Sequence, residues 1–408
     1  MTTFRFLHAA DLHLGSPFRG LAVRDEAVAG RFAQATRTAL TRLIDEALAA
    51  EVAFAVIAGD VYDGAWKDNS VGLFFNREIS RLARAGIPSY VLRGNHDADS
   101  VVTQTIALPE AVHAFETRKA STFVLPDLAV ALHGQGFASR AAEENLVRAY
   151  PAPVAGHFNI GVLHTSLTGH AAHATYAPCT VEDLRSRGYD YWALGHVHDF
   201  AVMAEDPMVV FPGNLQGRSV RETGAKGAVI VTVEDGRVAG FERVIVDDAR
   251  WALAEVDISD CADLPAALRL VEERIAEEAA DLGDRTMALR VRLTGRTGLR
   301  SAILAAKGQL SDDIQAAAHR INADVWLEQV KLDLTAPETA PVDFGFDLAA
   351  ALRDLSADPE MRARAEAIIG EIATRLPSGR AADEAPLGED TDALIAEAVE
   401  LVAVRARG

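Results

Sequence analysis

A chain of 408 residues exceeds the length over which one apolar core keeps growing, and its 49% apolar composition is ample for two domains and an appendage. The net charge of −19 argues against indiscriminate adhesion to nucleic acid, and no apolar run approaches the roughly 18 residues of a membrane span. The start, MTTFRFLHAADLH, lacks the basic and apolar regions of a signal peptide, so a cytoplasmic protein with no membrane association is expected.

Two cysteines, Cys179 and Cys261, match no zinc spacing and cannot build a disulfide framework; buried free thiols are expected. Charge and histidine are unevenly spread. Residues 1–240 carry 21 basic and 26 acidic side chains (net −5), whereas residues 241–408 carry 19 and 33 (net −14). Eleven of twelve histidines precede residue 199, which points to a metal or acid–base site in the first part of the chain.

In chain order, the first 245 residues alternate apolar runs with helical patterns, the grammar of stacked α/β layers. FRFLHAA reads as a strand, RFAQATRTALTRLIDEALAA as a crossover helix and FAVIAGD as a second strand. SVGLFFNREISRLARAG is a second helix, ending on Gly86 with Pro88 beyond. The strands SYVLRGN, AVALHGQ, NIGVLHTS, YWALGHV, MVVFPGN and GAVIVTVEDG follow. After Arg250 come a strand WALAEVDIS, a helix from about Leu264 to Ala280, a strand MALRVRLTG, helical stretches from Leu299 to Arg320 and a strand VWLEQVKLDL. From Asp343 the chain reads as helical, broken by LPSGRAADEAPLGED. The last helix has cap candidates at Asp390 and Thr391 and would turn Leu394, Ala398, Leu401, Val402 and Arg405 to one face. The expected division is 1–248, 249–338 and 339–408.

Five polar clusters fall just past strand ends, where open α/β sheets place ligands. They are ADLHLG (Asp11, His13), AGDVYDG (Asp60, Asp63), RGNHDA (Asn95, His96, Asp97), VLHTS (His164) and LGHVHD (His196, His198). Mixed oxygen and imidazole donors suit Mn, Fe or Zn better than Mg or Ca. Asp11, Asp60, Asn95 and four histidines exceed the needs of one ion, and two ions about 3.5–4 Å apart require a bridging carboxylate.

Taken in order, D-x-H, G-D, G-N-H-D, H and G-H-x-H resemble the motifs of the calcineurin-like metallophosphoesterase superfamily. HAADLHLGSPFRGL, LHTSLTGHAAHATYAPC and FPGNLQGRSVRETGAKG further resemble the SbcD-type DNA repair exonucleases, particularly their bacterial YhaO-like branch. The resemblance implies a four-layer αββα sandwich, a small α/β capping domain that selects DNA, and a helical C-terminal tail. It implies two divalent ions, expected to be manganese, one held by Asp11, His13, Asp60 and His198 and the other by Asp60, Asn95, His164 and His196. His96 would assist the leaving oxygen, with Asp97 orienting its ring. Some relatives carry a second histidine three residues after the bridging aspartate, where this chain has Asp63; a supporting or turn role is expected for it. Expected partners are DNA, an SMC-like coiled-coil ATPase (SbcC-type) reached through the C-terminal helices, and a second copy of the chain.

Arg218, Arg221 and Lys226 are candidates for contacting DNA phosphates, with solvated surface as the competing reading; His170 and His173 are candidates for the substrate side, with a surface loop as the competing reading. His8, His113, His133, His157 and His319 read as core or surface residues. The resulting expectation is a two-metal exonuclease running 3′ to 5′. A phosphodiesterase or phosphatase acting on a nucleotide or phosphoprotein is the first alternative, and a noncatalytic scaffold the second.

Overall fold

Continuous apolar runs become strands covered on both faces. FAVIA is buried at every position of its strand, as the centre of a parallel sheet demands. The computed structural model describes residues 3–16, 26–63, 69–100, 107–139, 144–167, 177–337, 348–375 and 391–405. The chain forms two compact units. One comprises Met1–Phe18, Asp25–Trp251 and Asp284–Thr286; the other comprises Arg19–Arg24, Ala252–Gly283 and Met287–Gly408.

The first unit carries β1 (Thr3–Ala9), α1 (Glu26–Ala49), β2 (Phe54–Ala58), α2 (Asn69–Arg84), β3 (Ser89–Leu92), α3 (Asn95–Asp99), β4 (Val112–Ala114) and β5 (Ser121–Leu125). It continues with β6 (Val130–Gly134), β7 (Phe158–His164), α4 (Val181–Arg185), β8 (Tyr191–Gly195), β9 (Ala201–Glu205), β10 (Met208–Phe211), β11 (Gly227–Glu234) and β12 (Arg237–Ile245). One sheet has the order β12-β11-β1-β2-β3-β4 and the other β5-β6-β7-β8-β10-β9. Within the first, β1 to β4 run parallel and β11 joins β1 antiparallel. The β11–β12 hairpin turns on Asp235 (φ 47°) and Gly236 (φ 74°), a pair of left-handed residues suited to a tight hairpin turn.

The sheets pack face to face through Phe6, Phe54, Val56, Leu132, Ile160, Val162 and Tyr191. Phe6 stacks on Phe54 with centroids 5.1 Å apart and meets Tyr191 edge-on at 5.3 Å. Helices α1 and α2 close the outer face of the first sheet through Leu40, Leu43, Phe75 and Ile79. On the outer face of the second sheet, Trp192 and Phe211 meet Val147 and Leu184. This is the four-layer αββα arrangement; among the described residues, its last layer is short, built from α4 and the 3-10 turn Leu146–Ala149.

The apolar runs of the sequence do not announce β4, β5, β9 and β12. All except β4 show why in their burial: they alternate covered and open residues, and β12 (RVAGFERVI) has no continuous apolar run. An edge strand needs apolar side chains on one face only, so its signal is weaker.

The second unit is simpler. After β13 (Ala249–Asp257) come α5 (Leu264–Ala279), β14 (Thr286–Arg296), α6 (Arg300–Ala305), α7 (Lys307–Ile321) and β15 (Val325–Thr335). The sheet order is β13-β14-β15, with β14 and β15 parallel. Asp263 caps α5 by accepting from the Ala266 amide at 2.8 Å. The core gathers Val271, Ile275, Leu289, Val291, Ile314 and Val325. Three helices, α8 (Leu348–Ala357), α9 (Pro359–Arg375) and α10 (Thr391–Arg405), belong to the same unit. In α10 the buried side chains include Thr391 and Ile395, whereas Leu394 and Val402 point outward. Leu394, Ala398 and Val402, expected on one face, are all exposed. The segment DALIAEAVELVAV is apolar nearly all round, so spacing alone does not choose a face.

Candidate metal centre

The turns after β1, β2, β3, β7 and β8 meet at one edge of the sandwich, where short hydrogen bonds tie them together. The Asp11 amide donates to Gly59 O at 2.9 Å, the His13 amide to Asp60 O at 3.0 Å and the Thr165 amide to Gly195 O at 3.1 Å. Asp11, His13, Asp60 and His196 all adopt left-handed backbone, with φ of 52°, 44°, 54° and 99°. Such conformations are costly for non-glycine residues and gather where function requires them. Gly94 is required by crowding: a Cβ there would lie 2.2 Å from Asp60 Oδ1. Gly59 combines a φ of 101° with a would-be Cβ 2.4 Å from His164 Nδ1.

The donors converge. His13 Nε2 lies 3.2 Å from His198 Nε2, 3.9 Å from Asp11 Oδ1 and 3.8 Å from Asp60 Oδ2. His198 Nε2 is 3.7 Å from Asp11 Oδ1, and His164 Nε2 is 3.4 Å from Asp60 Oδ2 and 2.9 Å from Asn95 Oδ1. His196 stands edge-on to His164, ring centroids 5.2 Å apart, and its amide donates to Asp11 Oδ2 at 2.9 Å. All seven residues expected as ligands are thus neighbours.

The residues fit bound metal. Asp11 Oδ1 and His13 Nδ1 are buried polar atoms without a hydrogen-bond partner. Donors sharing one ion at about 2.1 Å sit roughly 3.0–3.5 Å from each other. The 3.2–3.9 Å separations around Asp11, His13, Asp60 and His198 are close to that spacing and mostly too long for direct hydrogen bonds. Electrostatics agree. Burial disfavours a charged His164, but Asp60 and Asp11 outweigh it and push its pKa up to about 9: the pocket favours positive charge. His13, driven well below its ordinary value by burial and then by Arg218, is held neutral, the form a metal ligand needs. Asp60 stays ionised against its burial because of His164.

His96 corrects one expectation. Its Nδ1 pairs with Asp63 Oδ1 at 3.0 Å, not with Asp97. Asp97 instead accepts from the amides of Gly94 (3.0 Å), Val61 (3.2 Å) and Tyr62 (3.0 Å), stitching the start of α3 to the turn after β2. Three backbone amides thus engage both oxygens of Asp97. Burial opposes a charge on His96, yet Asp63 and Asp60 raise its pKa. His96 also lies close enough to His13 and Asp60 to share an ion with them.

The basic candidates change role as well. The Arg218 guanidinium is sunk into the site on Glu222, with Nη2 2.6 Å from Oε1. Lys226 is buried and donates to His198 O at 3.0 Å and Asp199 Oδ1 at 2.8 Å, which removes it from the phosphate-binding candidates. Arg221 remains exposed. His170 and His173 lie outside the described residues. His8 is a core residue, with its ring between Tyr191 Oη (2.9 Å) and Leu194 O (3.1 Å). Glu222 was missed by sequence reasoning. Its Oε1 accepts from His198 Nδ1 at 2.8 Å, and no local spacing announces a pair 24 residues apart.

Comparison with known proteins matches residues 4–200 to the calcineurin-like phosphoesterase family and residues 251–335 to the middle domain of metallophosphoesterase YhaO. "Uncharacterized metallophosphoesterase YhaO" of Bacillus subtilis (strain 168) is 36% identical over 281 residues, which make up 68% of this chain and 69% of that protein. "DNA double-strand break repair protein Mre11" of Sulfurisphaera tokodaii is 25% identical over 263 residues, 60% of this chain and 64% of that protein. Among solved structures, a dimetal phosphatase from Danio rerio aligns with a TM-score of 0.37 and 13% identity over 60% of this chain and 99% of its own.

Proposed function

The chain belongs to the calcineurin-like metallophosphoesterases and carries a YhaO-type middle domain, and from that premise we propose that it is a two-metal phosphodiesterase acting on DNA as a 3′-to-5′ exonuclease. The observation that carries this reading is Asp60, whose Oδ2 lies 3.8 Å from His13 Nε2 and 3.4 Å from His164 Nε2, one carboxylate between two sets of imidazoles. Asp11, His13, Asp60 and His198 would hold one ion; Asp60, Asn95, His164 and His196 would hold the other. Manganese suits this mixed donor set, which also accepts iron or zinc.

When bound, a pair of divalent ions supplies Lewis acidity and an activated water. The residues of the chain supply the rest. Asn95 offers an amide oxygen, which adds no negative charge to repel a phosphate. His96, its Nδ1 engaged by Asp63, is assigned to the leaving oxygen, where it donates a proton as the bond breaks. DNA as substrate draws support from the Mre11 relative, named for double-strand break repair.

The test uses purified protein alone, Mn²⁺ and end-labelled DNA, beside a cyclic nucleotide and a generic phosphodiester. Stepwise release of nucleotides from 3′ ends is expected. Hydrolysis of the small substrates with DNA left intact would transfer the reading to a nucleotide phosphodiesterase, the alternative favoured by the −19 net charge. A scaffold without activity would leave every substrate intact, and the complete donor set weighs against it.

The reading extends to an SMC-like ATPase docked on the C-terminal helices and to a homodimer. Leu355, Ile368, Leu394 and Val402, 39–58% exposed, offer apolar contact to such an ATPase. Removing the residues after Asp343 should abolish copurification of the ATPase and spare cleavage of a simple diester. A retained complex would place the interface elsewhere.

A further inference from the structure

The imidazoles of the site are not anchored alike. His164 donates from Nδ1 to a backbone carbonyl, Ala58 O, at 2.9 Å. His13 Nδ1 has no partner. His198 donates from Nδ1 to a carboxylate, Glu222 Oε1, at 2.8 Å, which leaves the Nε2 lone pair facing His13 Nε2 and Asp11 Oδ1.

Glu222 is itself held on several sides. Its side chain is 12% exposed. Its Oε1 accepts from Arg218 Nη2 at 2.6 Å; its Oε2 accepts from the Arg218 amide at 2.8 Å and from Asn214 Nδ2 at 2.9 Å. The backbone of His198 is fixed separately: its carbonyl accepts from Lys226 Nζ at 3.0 Å and from the Asn214 amide at 3.2 Å. The ring then keeps one freedom, rotation about its own bonds. Glu222 removes it.

We propose that Glu222 is the positioning residue of His198, and that retention of the ion in the Asp11/His13/His198 half depends on this carboxylate, whereas the Asn95/His164 half depends on a backbone carbonyl. A carboxylate partner fixes the ring tautomer and increases electron density on the ligating nitrogen, and loss of such a partner typically costs roughly 10- to 100-fold in metal affinity. A carbonyl partner fixes the tautomer without the added charge. The two halves therefore respond differently to a change at residue 222. This inference rests on the two-ion reading above.

The experiment titrates Mn²⁺ calorimetrically into the metal-stripped full chain and follows Co²⁺ uptake by its visible absorption. Wild type should take up two ions; uptake of one would overturn the two-ion reading before any variant is made. Glu222→Gln should weaken one class of site by roughly 10- to 100-fold and leave the other within about threefold. Equal weakening of both classes, or of neither, overturns the proposal. Asn214→Ala removes a clamp on Glu222 Oε2 but leaves Glu222 Oε1 and Arg218 Nη2 on His198 Nδ1, so it should bind both ions much as wild type does. If it reproduces the Glu222→Gln loss, loop anchoring is responsible and the proposal fails. The ¹⁵N spectrum of the metal-free wild-type histidines gives a check that needs no variant. His198 should carry its proton on Nδ1, and a proton on Nε2 would overturn the pairing.

Discussion

The two units of this molecule bury different things. Of the buried polar residues among those described, Thr297 and Thr391 belong to the second unit, and Asp11, His13, Asp60, Asn95, Asp97, His164 and His196 to the first. The left-handed non-glycine residues all fall in the first unit too. Where the second unit sinks a carboxylate, it neutralises it: the Glu328 side chain is 1% exposed and takes two hydrogen bonds from Arg290, at 2.7 and 2.6 Å. Asp11 Oδ1 in the first unit has no such bond. A buried acceptor left open, on strained backbone, beside the neutral imidazole of His13, is an arrangement that a cation completes. The lesson is that the first unit gives up local stability for a site, whereas the second follows the ordinary rules of packing.

Four experiments, built on six substitutions, probe that difference. The largest effect is expected for Asp60→Ala, which should empty both ion positions and lower turnover by roughly 10³-fold or more, several kcal/mol of lost transition-state stabilisation. Elemental analysis is the check, and full occupancy would remove the bridge. His96→Ala should keep metal content near normal while turnover falls by about 10²- to 10⁴-fold. Asp63→Asn should reproduce part of that loss, because it weakens the hold on the ring; Asp97→Asn should act through stability instead. Turnover of His96→Ala equal to wild type would take this residue out of the chemistry.

The third experiment tests the other unit. Leu289→Ala, a core position on β14, should cost about 2–5 kcal/mol in chemical denaturation without altering the ion count of the protein that remains folded. A fall in metal content would show that the contrast between the units is false. The smallest effect concerns pH. Burial lowers the His8 pKa from the ordinary 6.5 to about 3, only partly offset by its bond to Leu194 O. Between those values the unfolded chain binds the extra proton. His8 therefore leaves stability intact above pH 6.5 and erodes it as pH falls towards 3, at about 1.4 kcal/mol per unit. His8→Gln should flatten the curve by about 2 kcal/mol between pH 6.5 and 5 relative to wild type; parallel curves would exclude His8 as a source of acid sensitivity.

Much of the site was legible because its signals are local. A strand long enough to be buried, followed at once by Gly-Asp or Gly-Asn-His-Asp, puts its side chains at a sheet edge whatever the rest of the chain does. The central strands were legible for the same reason, and the edge strands were not, because β5, β9 and β12 satisfy only one face. Asp97 orients no ring; it sits three residues after Gly94, a spacing at which a carboxylate closes the first turn of a helix by accepting from a backbone amide.

The sequence by itself determined the order of apolar runs, the polar residue types at their ends and the glycines that let those ends crowd together. Tertiary structure alone decided which carboxylate serves which imidazole: Asp63 for His96 across 33 residues and Glu222 for His198 across 24. The reason is physical. Backbone periodicity dictates the direction of a side chain within its own strand or turn, but a hydrogen bond between two loops depends on where separate strands end, and that is set by the packing of both sheets together.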